Sequence, residues 1–159
     1  MVYLLDTNIF IEYRKHYPMD VWTTFWSKLS DLAKSGQVVS SVKVKDEIKK
    51  GFDELQEWIS SNVPQGFFFP FDTDALNAYS TLQNWAAGGN FTETAKSEFA
   101  IKADAYIIAT AFSKGMTLVT LEISEPQRRN KVKIPDACMG IGANCCDLNT
   151  MFRNLGVTI

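Results

Sequence analysis

Apolar residues occur along this chain in two patterns, short runs of strand length and longer stripes at helical spacing. The first run, Val2–Leu5, is rich in strand-forming residues and stops at Asp6. Asn8 is placed to cap a helix that starts at Ile9. Similar runs predict three further strands, at Gln37–Ser40, Thr117–Thr120 and Lys131–Ile134. The run Phe67–Phe71 fits either an edge strand or a packed loop, because it contains a proline.

Helical stripes fill the spaces between these runs. They predict helices at Trp22–Ala33, at Ser41–Ser60, between the caps Asp72 and Gly88, after Thr92, at Asp104–Lys114 and at Leu148–Leu155. Strands that alternate with helices in this way predict an α/β sandwich with a mostly parallel sheet. No linker or repeat interrupts the pattern, so we expect a single domain over residues 1–159.

The composition is that of one folded domain without a strong overall charge. Hydrophobic residues make up 46% of 159 positions, the formal net charge is -2 and the pI is about 5.4. Contact with a polyanion therefore requires a local basic patch. The start of the chain lacks a basic leader, no apolar run has membrane-spanning length, and the three cysteines are odd in number. We expect a cytoplasmic protein with reduced cysteines and no membrane association.

Acidic residues stand where the predicted strands end and helices begin. Asp6 ends the first strand, and Glu122 follows the strand at Thr117–Thr120. Asp104 begins the helix before that strand, and Glu47 lies on the flank of a buried helical face. Ligands of parallel sheets bind beyond the carboxyl ends of the strands. These acids are therefore candidates for a shared site.

Four clustered carboxylates raise one another's pKa unless a cation neutralises them. Oxygen ligands alone favour hard divalent ions such as Mg²⁺ or Mn²⁺, which suits hydrolysis of a phosphodiester. The single histidine, His16, makes a zinc site or a histidine-based triad improbable. A second interpretation stays open, in which these acids form no site. Asp6 is then a turn residue, Glu47 is a solvated acid beside lysines, and Asp104 is a charge at the start of a helix.

Four segments in order along the chain resemble the PIN domain nucleases. They are Leu4–Asn8, Ser40–Val42 with Glu47–Ile48, Ala103–Ala111 and Leu118–Glu122. The resemblance implies a three-layer α/β/α domain that binds Mg²⁺ or Mn²⁺ and hydrolyses RNA. It assigns Asp6, Glu47, Asp104 and Glu122 as catalytic metal ligands, with Asn8 and Thr120 in support. Glu122 replaces an aspartate found in many relatives.

The resemblance also implies partners, since many relatives are homodimeric toxins of the VapC kind, paired with an antitoxin. For this chain it implies an endoribonuclease with an RNA substrate. The basic residues Arg128, Arg129 and Lys131, in the loop after Glu122, form either an RNA-binding patch or a solvated loop. A catalytically inactive PIN-fold module for RNA binding or protein docking is the alternative function. A phosphotransferase that uses Asp6 as nucleophile is disfavoured, because Asn8 stands where that chemistry wants a second acid.

Overall fold

Five parallel strands form the centre of the molecule, in the order β3-β2-β1-β4-β5, and the computed structural model describes all 159 residues. The strands are β1 Tyr3–Leu5, β2 Val38–Ser41, β3 Phe68–Phe69, β4 Thr117–Val119 and β5 Cys145–Cys146. β1 is the central strand, and all three of its residues are buried. A strand enclosed on both faces explains why its sequence is a continuous apolar run.

Nine helices connect the strands and complete a three-layer α/β/α arrangement. They are α1 Thr7–His16, α2 Thr23–Lys34, α3 Val42–Ile48, α4 Asp53–Asn62, α5 Thr73–Ala87, α6 Glu93–Ile101, α7 Ala103–Ser113, α8 Ile134–Ile141 and α9 Leu148–Leu155. The α/β class and the parallel sheet predicted from the sequence are confirmed. No helix is both long enough and apolar enough to cross a bilayer.

The parallel register places three strand ends at one edge of the sheet. Leu5 pairs with Val119, and Leu4 pairs with Val39 two residues before Ser41. The residues that follow these strands therefore emerge side by side. The Ser40 hydroxyl donates a hydrogen bond of 2.8 Å to the carbonyl of Leu5 and joins β2 to β1 at this edge.

The single helix predicted over Ser41–Ser60 is wrong, because the structure has two helices there. α3 ends at Ile48 and α4 begins at Asp53. Between them Gly51 has a φ of 147°, a conformation that residues with a side chain rarely adopt. The apolar stripe continues through the break at helical spacing, so periodicity alone did not reveal it.

Two other local predictions are wrong. Residues 131–134 form no strand but lead into α8, whose first turn contains Pro135. The strand beside β4 is instead β5, which is too short to give a periodic signal. The cap of α1 is Asp6 rather than Asn8, and the helix begins at Thr7. The open segment Phe67–Phe71 contains the short edge strand β3.

One close contact fixes the position of α8. Gly140 lies against the ring of Trp85 in α5, where a Cβ on residue 140 would come within 2.2 Å of a ring carbon. Only glycine allows this approach without displacement of the indole. The contact orients α8, whose first residue, Ile134, donates a hydrogen bond to Glu122 near the carboxyl ends of the strands.

Candidate metal centre

Asp6 directly follows β1, the central strand, and lies where the carboxyl ends of the strands meet; it is 2% exposed. Its Oδ1 accepts a hydrogen bond of 2.7 Å from the Thr7 N–H at the start of α1. Its Oδ2 accepts one of 3.1 Å from the Thr120 hydroxyl, just beyond β4. Two neutral donors thus fix the orientation of the carboxylate, and no lysine or arginine forms a salt bridge with it.

The electrostatics of Asp6 show a carboxylate that lacks charge compensation. Burial raises its pKa to about 7, and repulsion from Asp104 and then Glu122 adds to the shift. The hydrogen bonds from Thr120 and Thr7 oppose the rise without cancelling it. The protein alone therefore holds this group near the point where half of it is protonated at neutral pH.

Asp104 lies in the first turn of α7 and is also a perturbed acid. Burial raises its pKa to about 6, with repulsion from Glu122 and Glu47 in the same direction. The charges of Lys131 and Lys102 act against the rise. Asp104 is therefore close enough to the other predicted acids for their charges to interact, although the four residues span most of the chain.

Glu47 is joined to the start of α1 by a side chain that the sequence analysis did not identify. The Thr7 hydroxyl donates a hydrogen bond of 3.2 Å to Glu47 Oε1, and burial raises the pKa of this carboxyl. Thr7 thus contacts both Asp6, through its N–H, and Glu47, through its hydroxyl. The available signal was its position directly after the acid that ends β1.

Glu122 has a different environment, because two lysines surround it. Its Oε1 is 3.8 Å from Lys133 Nζ and 3.9 Å from Lys131 Nζ, and it accepts a hydrogen bond of 3.3 Å from the Ile134 N–H. The backbone N–H of Glu122 donates to the Thr120 hydroxyl oxygen, so Thr120 links it to Asp6. Lys133, at the end of the basic stretch that follows Glu122 in the sequence, is a central partner here.

Four predicted residues remain, and only one of them, Lys131, contacts an acid of the site. Asn8 is exposed on α1 and its side chain makes no hydrogen bond. Arg128 bonds to Asn130 and pairs with Glu125 at 3.2 Å, both within its own loop. Arg129 Nε donates to the carbonyl of Asn90 at 3.4 Å. Of the three basic residues predicted to bind RNA, only Lys131 lies beside the acids.

The donor set fits a hard divalent cation. Its members are carboxylate oxygens, and burial, followed by repulsion between the acids, raises the pKa of Asp6 and Asp104; a bound cation would relieve that repulsion. In their present orientations no three acidic, histidine or cysteine side chains stand close enough to ligate one ion. Binding therefore requires the longer side chains to turn inward, with Asp6 as the fixed member.

Three solved structures share this fold over almost the whole chain. VapBC2 from Rickettsia felis, bound to a DNA fragment from its promoter, is 20% identical with a TM-score of 0.59 and covers 92% of this chain and 98% of its own. FitAcB from Neisseria gonorrhoeae is 18% identical with a TM-score of 0.55, over 91% and 96%. FitAB bound to the IR36 DNA fragment is 18% identical with a TM-score of 0.53, over 92% and 94%.

At these identities the similarity establishes the fold, and the fold is that of the PIN domains, as the sequence resemblance implied. The chain belongs to the family described as "Domain of unknown function (DUF4411)", whose model matches residues 3–159. No curated protein matches the sequence. The family description gives no activity, so the chemistry of the site is the basis for a functional proposal.

Proposed function

We propose that this protein is a divalent-metal-dependent ribonuclease whose centre is built on Asp6, Glu47 and Asp104. The observation that supports the proposal most strongly is a pair of aspartates, Asp6 buried and Asp104 partly buried, with pKa values raised to about 7 and about 6, at the carboxyl edge of a parallel sheet. Maintaining such a pair without a cation is unfavourable. A bound Mg²⁺ or Mn²⁺ would remove the repulsion and provide the chemistry of phosphodiester hydrolysis.

Each residue has a defined part in this proposal. Asp6 holds the ion from a fixed position, because Thr7 and Thr120 orient its two oxygens. Asp104 and Glu47 would approach from α7 and α3, and the extra methylene of Glu47 gives it the longer reach toward the ion. Glu122 is the fourth acid, held by its lysines at the border of the site. When bound, the ion activates a water molecule and neutralises charge that develops on the phosphate.

Metal binding and cleavage are tested together. Isothermal titration calorimetry with Mn²⁺ should detect binding to the wild type and none to Asp6→Asn at the same concentrations. The amide oxygen can still accept from the Thr7 N–H, and the amide nitrogen can donate to the Thr120 hydroxyl oxygen, which reverses that bond, so this variant loses charge at nearly constant shape. Asp31→Asn, an exposed acid on α2, is the matched control and should behave as the wild type. Retained, Mn²⁺-dependent RNA cleavage by purified Asp6→Asn would refute the assignment.

The relatives named above support a proposal about partners. Their structures were determined as VapBC and FitAB complexes, two of them with DNA, and this chain resembles the VapC kind of protein. We infer an antitoxin partner and a homodimeric toxin. Light scattering of the purified chain should give twice the monomer mass of 17.9 kDa. A monomer at all accessible concentrations would contradict the dimer.

A second candidate function is a PIN-fold module that binds RNA or protein without catalysis. Two observations favour it: the lack of a ready-made group of three ligands, and the neutralisation of Glu122 by Lys131 and Lys133. Absence of a calorimetric Mn²⁺ signal, together with an unchanged melting temperature in Mn²⁺, would support this module over the nuclease.

A further inference from the structure

A groove beside Glu47 and Asp104 carries cations without ionic partners. It lies between α3 and α7 and has a volume of about 680 Å³. Its three lysines are Lys43, Lys50 and Lys102. Neither Lys43 nor Lys50 forms a salt bridge. The groove also contains three carboxylates, so a divalent ion held by two of them leaves an excess of positive charge along its wall.

Aromatic rings in the same wall are paired with cations. Lys43 Nζ lies 4.7 Å from the ring centroid of Tyr106, and the Arg14 guanidinium carbon lies 5.5 Å from that of Phe52. Both rings line the groove, and Arg14 is one turn along α1 from Ile11, which also lines it. The wall therefore presents cationic and aromatic groups near Glu47, with Arg14 next to the lining residue Phe52.

Arg14 adds an observation that points to an anion. Its side chain makes no hydrogen bond, and its Nε is the one buried side-chain nitrogen or oxygen of the structure without a hydrogen-bond partner. A buried N–H without an acceptor is costly, and a guanidinium offers a planar fork of donors that matches phosphate. A phosphate oxygen beside Phe52 would satisfy this group.

We propose that the groove binds single-stranded nucleic acid on one side of the cleaved phosphate, with Lys43, Lys50 and Arg14 on the backbone and Phe52 under a base. This inference rests on the proposed nuclease function for the position of the cleaved bond. Tyr106 is stacked on Tyr79, with centroids 4.7 Å apart, and the Arg14 guanidinium lies over Phe52, so a nucleobase stacks on Phe52 only when Arg14 moves from the ring to a phosphate. Stacking on an aromatic ring requires an unpaired base, which favours a single strand over a duplex.

The groove differs from the basic loop that the sequence analysis selected. In that loop Arg128 pairs with Glu125, Arg129 bonds to a backbone carbonyl, and Lys131 contacts Glu122. Cations that are already engaged gain less from a phosphate than free cations do. The structure therefore favours the α3–α7 side as the path of the strand.

The test measures binding without turnover. Fluorescence anisotropy with a labelled single-stranded RNA of about 12 nucleotides should be recorded in the Asp6→Asn background, which also lacks one negative charge of the site. Lys43→Gln with Lys50→Gln should weaken binding about tenfold or more and lower the salt slope by about 1.4. Phe52→Leu should weaken it about fivefold or more with an unchanged salt slope.

Two double variants serve as controls. Lys28→Gln with Lys34→Gln removes the same charge from exposed positions on α2 and should bind as the parent does. Arg128→Gln with Arg129→Gln reports on the basic loop and should change affinity less than twofold. If the loop variant loses binding while the Lys43 and Lys50 variant keeps it, the proposed path is wrong.

Further ligands distinguish the remaining outcomes. A labelled DNA strand of the same sequence shows whether the groove needs ribose, and a duplex should bind at least about tenfold more weakly. Binding of a glutamate-rich peptide in place of RNA would overturn the proposal in favour of a protein ligand, and so would failure to bind any strand. RNA binding at the groove by a wild type that neither takes up Mn²⁺ nor cleaves would refute the nuclease function while the groove assignment stands.

Discussion

The two sides of the acidic centre differ in how their charges are balanced. On the α3–α7 side, Glu47 and Asp104 border an open groove, and burial raises the pKa of both. On the β4–α8 side, Glu122 has two lysine ammonium groups and a backbone N–H within reach. The acids of the first side form no salt bridge with the lysines near them, whereas Glu122 pairs with two lysines. We infer that a metal ion sits toward α3 and α7, and that Glu122 stabilises a loop.

The largest expected contrast is in metal affinity. Glu47→Gln should weaken Mn²⁺ binding about 100-fold or more by calorimetry, because it removes a ligand charge at constant shape. Glu122→Gln should weaken it about tenfold or less, since this acid acts through its neighbours. Equal losses in the two variants would show that both sides ligate the ion and would remove the distinction.

The next contrast is the pH dependence of stability without metal. Because the pKa of Asp6 is raised to about 7, its contribution to stability is complete below the ordinary pKa near 3.8 and is lost as the pH rises through 7. Asp6→Asn should therefore melt above the wild type at pH 7.5 in EDTA, by roughly 1–2 kcal/mol or about 5 °C. The difference should shrink toward pH 4, and a gap independent of pH would contradict the assignment.

The Thr120 hydroxyl joins the two sides, and its removal tests that link. Thr120→Val removes the donor to Asp6 and the acceptor for the Glu122 N–H in a buried place. Loss of both partners should cost about 1–3 kcal/mol in urea denaturation. Thr120→Ser keeps the hydroxyl and is the matched control, with a smaller loss. If valine and serine have equal effects, the hydroxyl does not link the two sides.

The smallest expected effect concerns the lysines. Lys133 Nζ lies 3.8 Å from Glu122 and 3.6 Å from Glu125, and its side chain is 12% exposed. Lys133→Met should cost about 1 kcal/mol by chemical denaturation, because it leaves two acids with fewer partners. Lys131→Met, at a side chain that is 36% exposed, should cost less. The opposite order would make Lys131 the main counter-charge.

The proximity of the candidate acids was easier to predict from the sequence than the side chains around them. Asp6 and Glu122 follow apolar runs, and Asp104 begins an unmistakable helix, so parallel-sheet geometry is enough to bring them to one edge. The role of Thr7 and the pairing of Lys133 with Glu122 were not predicted, because each depends on the distance to a residue 40 or 11 positions away along the chain. No local pattern encodes such a pairing.

The errors in the fold have a similar origin. The break at Gly51 keeps the apolar stripe in phase on both sides, so the pattern of residues 41–60 is the same as that of one long helix. β5 has two residues, and its strand character depends on its partner β4 rather than on its own composition. Elements longer than seven residues with clear caps, such as α5 and α9, were placed correctly.

The contact of Gly140 with Trp85 has a consequence for how substitutions far from the acids could impair them. The first residue of α8, Ile134, donates its N–H to Glu122. Gly140 lies six positions further along the same short helix, which corresponds to about 9 Å. A methyl group at position 140 would push α8 away from the Trp85 indole and move the Ile134 N–H away from Glu122. Substitutions at this glycine should therefore loosen the loop that Glu122 stabilises, although neither the glycine nor the tryptophan contacts that loop acid.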